Sequence, residues 1–194
     1  MQPAPSLLNL LASLALALPL VGCAASPAGP YTPPAEIERD TARAEALTRK
    51  ALDVLDHDTQ RAEALLREAL TADLYHGPAH NDLGVLFLGQ SKLYEAANEF
   101  EWARKLMPGH PDPRLNLGLT LERAGRFEQA LDTYNTALEV FSEHVPSMQA
   151  IARLTLRMKR EDPRLESMLG EIALRGETEE WRGWARLQRT RLDH

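Results

Sequence analysis

The sequence predicts an all-α fold of stacked helix pairs, and three observations carry that prediction. Leu83-Gly84, followed by Ala96, Phe100 and Ala103, returns as Leu117-Gly118, followed by Ala130, Tyr134 and Ala137, with Gly118 standing 34 positions after Gly84. A repeat of this length is one supersecondary unit that cannot bury its own apolar face and therefore stacks on its copies. From residue 36 onward, apolar and small residues recur at three- and four-residue steps, the helical period, and no strand-like alternation stands out. Glycine and proline fall between these runs, where helices stop and start.

Each element follows in order. Leu47, Ala51 and Val54 mark a first helix and Ala62, Leu66 and Ala69 a second, joined by a connection one residue shorter than in the better copies. Gly77-Pro78 opens the third, since proline suits a first helical turn, and Gly89 closes it. Ala96, Phe100 and Ala103 define the fourth. Asp112-Pro113 reads as an N-cap and first-turn proline for the fifth, and Gly125 stops it. Ala130, Tyr134 and Ala137 belong to the sixth, and Met148, Ile151 and Ala152 to the seventh. Asp162-Pro163 opens an eighth with Leu165, Leu169 and Ile172, displaced by one residue. A last helix begins near Thr178, where Glu179 and Glu180 complement the positive end of the helix dipole. Trp181, Trp184, Ala185 and Leu192 share one of its faces, as a helix capping the final pair requires.

The N-terminal part reads differently. Leu7 to Leu20 is almost wholly apolar, shorter than the roughly 20 residues of a transmembrane helix and of signal-peptide length. It runs into Leu20-Val21-Gly22-Cys23, which resembles a bacterial lipobox. That resemblance implies a signal peptide over 1–22, a diacylglycerol group on the Cys23 thiol, cleavage before it and acylation of the new amine. Two or more acyl chains give stable membrane attachment. Ala24, where an Asp would imply retention at the inner membrane, implies the outer membrane. Residues 23–35 form a linker in which Pro27, Pro30, Pro33 and Pro34 exclude a helix. Residues 36–194 form the repeat domain.

The copies His80-x2-Leu83-Gly84-x2-Phe87 with Ala96-x3-Phe100, Ala103 and Pro108, and Arg114-x2-Leu117-Gly118-x2-Leu121 with Ala130-x3-Tyr134 and Ala137, resemble tetratricopeptide repeats. The resemblance implies a solenoid of about four helix pairs plus the capping helix, with Gly84, Gly118, Ala96 and Ala130 as structural repeat positions. It also implies that the first helix of each pair lines a concave partner-binding groove. That groove would comprise Asn81, Val85 and Leu88, then Leu115, Asn116, Leu119 and Arg123, then Gln149, Arg153, Leu156 and Arg157. Asparagine amides offer a donor and an acceptor to an extended backbone, and arginine grips a carboxylate with two bonds. The expected occupant is a peptide or protein segment with an acidic feature towards the C-terminal end. Val85, Pro146 and Ala150 stand where a chaperone-tail clamp is polar or basic, so that ligand is not expected.

Other chemistries are disfavoured. Asp and Glu number 28 against 22 Lys and Arg, opposite to the basic face that nucleic acid requires. Cys23 is the sole cysteine, so neither an internal disulfide nor a thiolate zinc set is available. His76, His110 and His144 recur at one repeat position, but neighbouring helices lie about 8–10 Å apart and zinc ligands reach within about 2.1 Å of one ion. His76-x3-His80 is interrupted by Gly77-Pro78 and lacks the glutamate of a helical metal motif. No phosphate loop or nucleophile motif occurs, so no enzyme activity, cofactor or metal is expected. The expectation is a lipid-anchored scaffold on the periplasmic face of the outer membrane that binds a partner protein and assists an envelope complex such as a pilus. An adaptor for a cell-wall hydrolase or protease, and a homo-oligomer joined through the Trp181 and Trp184 helix, are the alternatives.

Overall fold

In a computed structural model the structure describes residues 39–192. The expected signal peptide over 1–22, the expected lipidation site Cys23 and the expected linker 23–35 lie outside the described residues. Among the described residues there are nine α-helices and no strand: α1 Thr41–Val54, α2 Thr59–Ala72, α3 Gly77–Gly89, α4 Leu93–Leu106, α5 Asp112–Arg123, α6 Phe127–Val140, α7 Val145–Met158, α8 Leu165–Arg175 and α9 Glu179–Leu192. None of them is long and apolar enough to cross a membrane.

Each helix packs on the next. The odd-numbered helices α1, α3, α5 and α7 also pack side by side, while the even-numbered ones make no comparable contact with one another. A stack in which one set of helices touches and the other splays must curve towards the touching set. The odd helices therefore form the inner wall of an all-α tetratricopeptide solenoid.

Local sequence chemistry sets the helix ends. The carboxylates of Asp40 and Asp58 accept from the backbone N–H groups of Arg43 and Arg61 at 2.9 and 2.8 Å, capping α1 and α2. Three connections from an odd helix to the following even helix share one closure. The N–H groups of Lys92, Arg126 and Arg160 reach back to the carbonyls of Phe87, Leu121 and Thr155, and the preceding residues Ser91, Gly125 and Lys159 have φ of 59°, 76° and 53°. This is the left-handed helix stop, and only one of its three occurrences uses the glycine that would announce it. Asp112 is not an N-cap: α5 already includes it and its carboxylate makes no capping bond. It lies instead between two imidazoles, 3.4 Å from His110 Nδ1 and 3.2 Å from His144 Nε2. Asp162 forms a turn ahead of α8, accepting from the Arg164 N–H at 2.9 Å, and the helix itself starts at Leu165.

Close approach decides the packing within pairs. A Cβ on Gly84 would stand 2.6 Å from the Phe100 ring, and one on Gly118 would stand 2.5 Å from the Tyr134 ring. Phe100, Tyr134, Ala96 and Ala130 are fully buried. The interior forms two apolar clusters, one drawn from α1 to α5 and one from α6 to α9. In the second, Trp181 and Trp184 meet edge to face with centroids 5.3 Å apart, and α9 lies over Leu169 and Ile172 of α8.

Candidate partner-binding groove

The inner wall carries a polar network that crosses the repeats. Asn116 Nδ2 donates to Asn81 Oδ1 at 3.1 Å, and Asn81 Nδ2 donates to Asp82 Oδ1 at 3.2 Å. Both asparagines are half-buried, so these amides hold each other while keeping one edge towards the groove. Burial pushes the Asp82 carboxyl up, against the Asn81 hydrogen bond that lowers it.

The apolar members divide. Val85 is exposed, while Leu115, Leu119 and Leu156 are half-buried and pack in part against the apolar clusters. Leu88 and Gln149 are buried, which corrects their placement on that surface. Leu88 contributes its backbone carbonyl instead, which accepts from Arg123 Nη1 at 2.9 Å. The Gln149 amide nitrogen has no hydrogen-bond partner among the described residues.

The arginines are the main departure from the sequence reading. Arg153 is not free to grip a partner. Its Nη1 and Nη2 donate to Glu122 Oε1 and Oε2, both at 2.7 Å, and Tyr134 Oη donates to Glu122 Oε2 at 3.0 Å. Arg157 Nη1 lies 3.6 Å from Glu122 Oε1, and its guanidinium sits 4.7 Å above the Phe127 ring. Burial alone would raise the Glu122 carboxyl, but Arg153, Tyr134 and Arg157 together hold it below its ordinary value. Burial and the Glu122 charge in turn push the Tyr134 phenol upward. Glu122 thus ties α5, α6 and α7 together, and the sequence reading did not single it out. A signal existed: its repeat position is leucine in both neighbouring copies, Leu88 and Leu156.

The histidines are engaged separately. Asp112 brings His110 and His144 together, and His144 Nδ1 also lies 2.8 Å from Ser147 Oγ. His76 stands at the start of α3, and its Nε2 has no hydrogen-bond partner among the described residues. His80 is buried, between Glu99 at 2.6 Å and the Leu74 carbonyl at 2.9 Å, and stacks on Trp102. Among the described residues no group of three His, Cys, Asp or Glu side chains is placed to hold a metal ion.

Residues 87–154 match a family model described as tetratricopeptide repeat. No curated protein sequence matches the chain. Among solved structures, the first tetratricopeptide domain of Spaghetti (RPAP3), bound to the HSP90 peptide SRMEEVD, is 15% identical with a TM-score of 0.59, over 63% of this chain and 98% of that one. MamA is 18% identical with a TM-score of 0.61, over 68% and 80% of the two chains. A tetratricopeptide repeat protein from Parabacteroides merdae is 23% identical with a TM-score of 0.60, over 73% and 57%. These likenesses establish the fold.

Proposed function

We propose that the protein is a lipid-anchored, non-catalytic interaction scaffold of the bacterial envelope that holds a segment of a partner protein in the groove of its odd-numbered helices. The observation that carries this reading is the inner wall itself. Val85, Leu115, Leu119 and Leu156 form an apolar strip beside half-buried amides and exposed guanidinium groups, a combination that suits an extended chain with side chains to bury and a backbone to hold. The RPAP3 domain, caught with a peptide, supports the same use of the fold. The anchor rests on Leu20-Val21-Gly22-Cys23 at the end of the apolar leader, and Ala24 supports the periplasmic face of the outer membrane. Assistance to an envelope assembly such as a pilus follows from location and fold together.

One experiment tests both parts. Full-length protein is crosslinked in intact cells of a bacterial host with its lipoprotein-processing system, in the wild type, Val85→Glu and Cys23→Ser forms, and the membrane and soluble fractions are compared. Val85→Glu places a charge on an exposed apolar position without touching the core; it is expected to remove the crosslinked partner and leave the thermal midpoint unchanged. Cys23→Ser is expected to move the protein out of the membrane fraction. A partner retained by Val85→Glu defeats the groove reading, and membrane retention of Cys23→Ser defeats the anchor.

A further inference from the structure

The connections from each odd helix to the following even helix lie along one rim of the groove. In the three repeats closed by the left-handed stop, this rim carries Lys92, then Arg123 and Arg126, then Arg157, Lys159 and Arg160, all exposed. Glu95, Glu128, Asp132 and Glu161 are exposed acids beside them, and of these Glu128 pairs with Arg160. Among the described residues no carboxylate pairs with Lys92, Arg123, Arg126 or Lys159. The corresponding connection of the first repeat has the opposite sign, with Asp53, Asp56 and Asp58. The opposite rim is mixed, with Asp112 and Glu143 beside Lys105, Arg114 and Arg175, and Arg175 pairs with Glu143 at 3.1 Å. In a chain of net charge −6, this gathering of cations runs against the bulk.

Cations near helix C-termini complement the dipole, each by about 0.3–1 kcal/mol. That accounts for a basic residue per turn but not for the way two guanidinium groups are held. Arg123 and Arg157 occupy the same position in successive repeats. Arg123 is fixed by one N–H to the Leu88 carbonyl, and Arg157 by the Phe127 face. Arg157 is also the second cation on a carboxylate whose two oxygens already accept from Arg153. Each is thus oriented with N–H groups to spare. Neighbouring solenoid helices lie about 8–10 Å apart, and an extended chain advances about 3.3 Å per residue, so the two positions match side chains two or three residues apart.

We infer that Arg123 and Arg157 read two carboxylate side chains, spaced by two or three residues, on the partner segment in the groove. The inference rests on the groove reading above and adds the chemistry of the occupant. Guanidinium forks suit carboxylates. The adjoining apolar strip, Val85 and Leu119, lies inside a concavity that an extended chain enters and a flat bilayer does not. Arg153, locked to Glu122, takes no part.

The test is selection of a random peptide display library on immobilised full-length protein, followed by affinity measurement with a selected peptide. Expected is enrichment of peptides with two Asp or Glu residues at that spacing. Their binding should weaken at least about tenfold when those acids become amides, and equally in Arg123→Gln/Arg157→Gln, which leaves the Arg153–Glu122 bonds intact. Peptides without acidic enrichment, whose binding Val85→Glu abolishes, overturn the inference and leave the groove reading standing. Failure to enrich any peptide overturns both. Binding to phosphatidylcholine vesicles containing phosphatidylglycerol that needs the same two arginines, without acid-enriched peptides, overturns the inference in favour of a lipid surface.

Discussion

Glu122 and Gly118 sit one turn apart on α5 and meet the same tyrosine, one at its hydroxyl and the other at its ring. The Tyr134 hydroxyl donates to Glu122, and the flat of its ring covers Gly118 so closely that a Cβ would stand 2.5 Å from both Cδ1 and Cε1. Gly84 stands in the same relation to Phe100, but that ring has no polar end to hold it. The two glycines therefore differ in what an added methyl disturbs. Alanine gains about 1 kcal/mol of helix propensity over glycine, while forcing atoms into a filled interior costs about 1–3 kcal/mol. At Gly118 the displaced ring also loosens a hydrogen bond to a buried carboxylate, which adds about 1 kcal/mol or more. Gly118→Ala is accordingly expected to lower stability by about 1–3 kcal/mol, and Gly84→Ala by less. Denaturant midpoints of the two variants check this; an equal or larger loss at Gly84 shows that the Tyr134 tie to Glu122 carries no weight.

At the scale of the helices, what the sequence made legible follows from what repetition can reveal. Gly84 and Gly118, with Ala96 and Ala130 opposite them, recur because every pair needs the same close approach, so the fold was readable. The left-handed stops at Ser91 and Lys159 were hidden because the backbone bonds from Lys92 to Phe87 and from Arg160 to Thr155 close them without the residue that favours the conformation. The assignment of Arg153 failed for a related reason. Arg153 looks like a ligand-facing residue until its partner is known, and that partner stands 31 positions earlier on another helix. No single-helix pattern pairs them; only the charge in a leucine position at Glu122 hints at it. The last helix was legible because its two tryptophans share a face with Ala185. It also makes a prediction. Met168, Leu169 and Ile172 of α8 are buried beside Ala185. Truncation after Gly176 removes α9 and exposes this surface, and in a solenoid such damage acts through nearest neighbours. Hydrogen exchange is expected to show lost protection in α7 and α8 and unchanged protection in α1 and α2; uniform loss along the chain contradicts it.

Across the whole molecule, the two apolar clusters and the neighbour-to-neighbour packing make each end respond to its own charges. Asp73 shows this most clearly. Its side chain is fully buried between α2 and α3, where it accepts from Arg39 at 2.9 and 3.0 Å, from the Thr41 hydroxyl at 2.8 Å and from the Tyr75 N–H at 3.0 Å. The Arg39 hydrogen bonds, with help from Thr41 and Tyr75, outweigh burial and hold this carboxyl down to about 2, against an ordinary 3.8. A carboxyl lowered on folding stabilises the native state above its unfolded value and loses that contribution as pH falls through the folded one. The contribution of Asp73 is therefore complete above about pH 4 and fades towards about pH 2. Glu122 and Asp162 are also held below their ordinary values, so acid weakens the wild-type chain along its length. Asp73→Asn isolates the first end. The variant is expected to be less stable than wild type in α1 and α2 at neutral pH, with the difference shrinking as pH falls from about 4 to about 2. Protection of α7 to α9 is expected to match wild type throughout. Site-resolved hydrogen exchange over that range decides it: a difference that persists unchanged to pH 2 removes Asp73 ionisation as the cause, and one that spreads to α9 shows that the solenoid unfolds as a single cooperative unit.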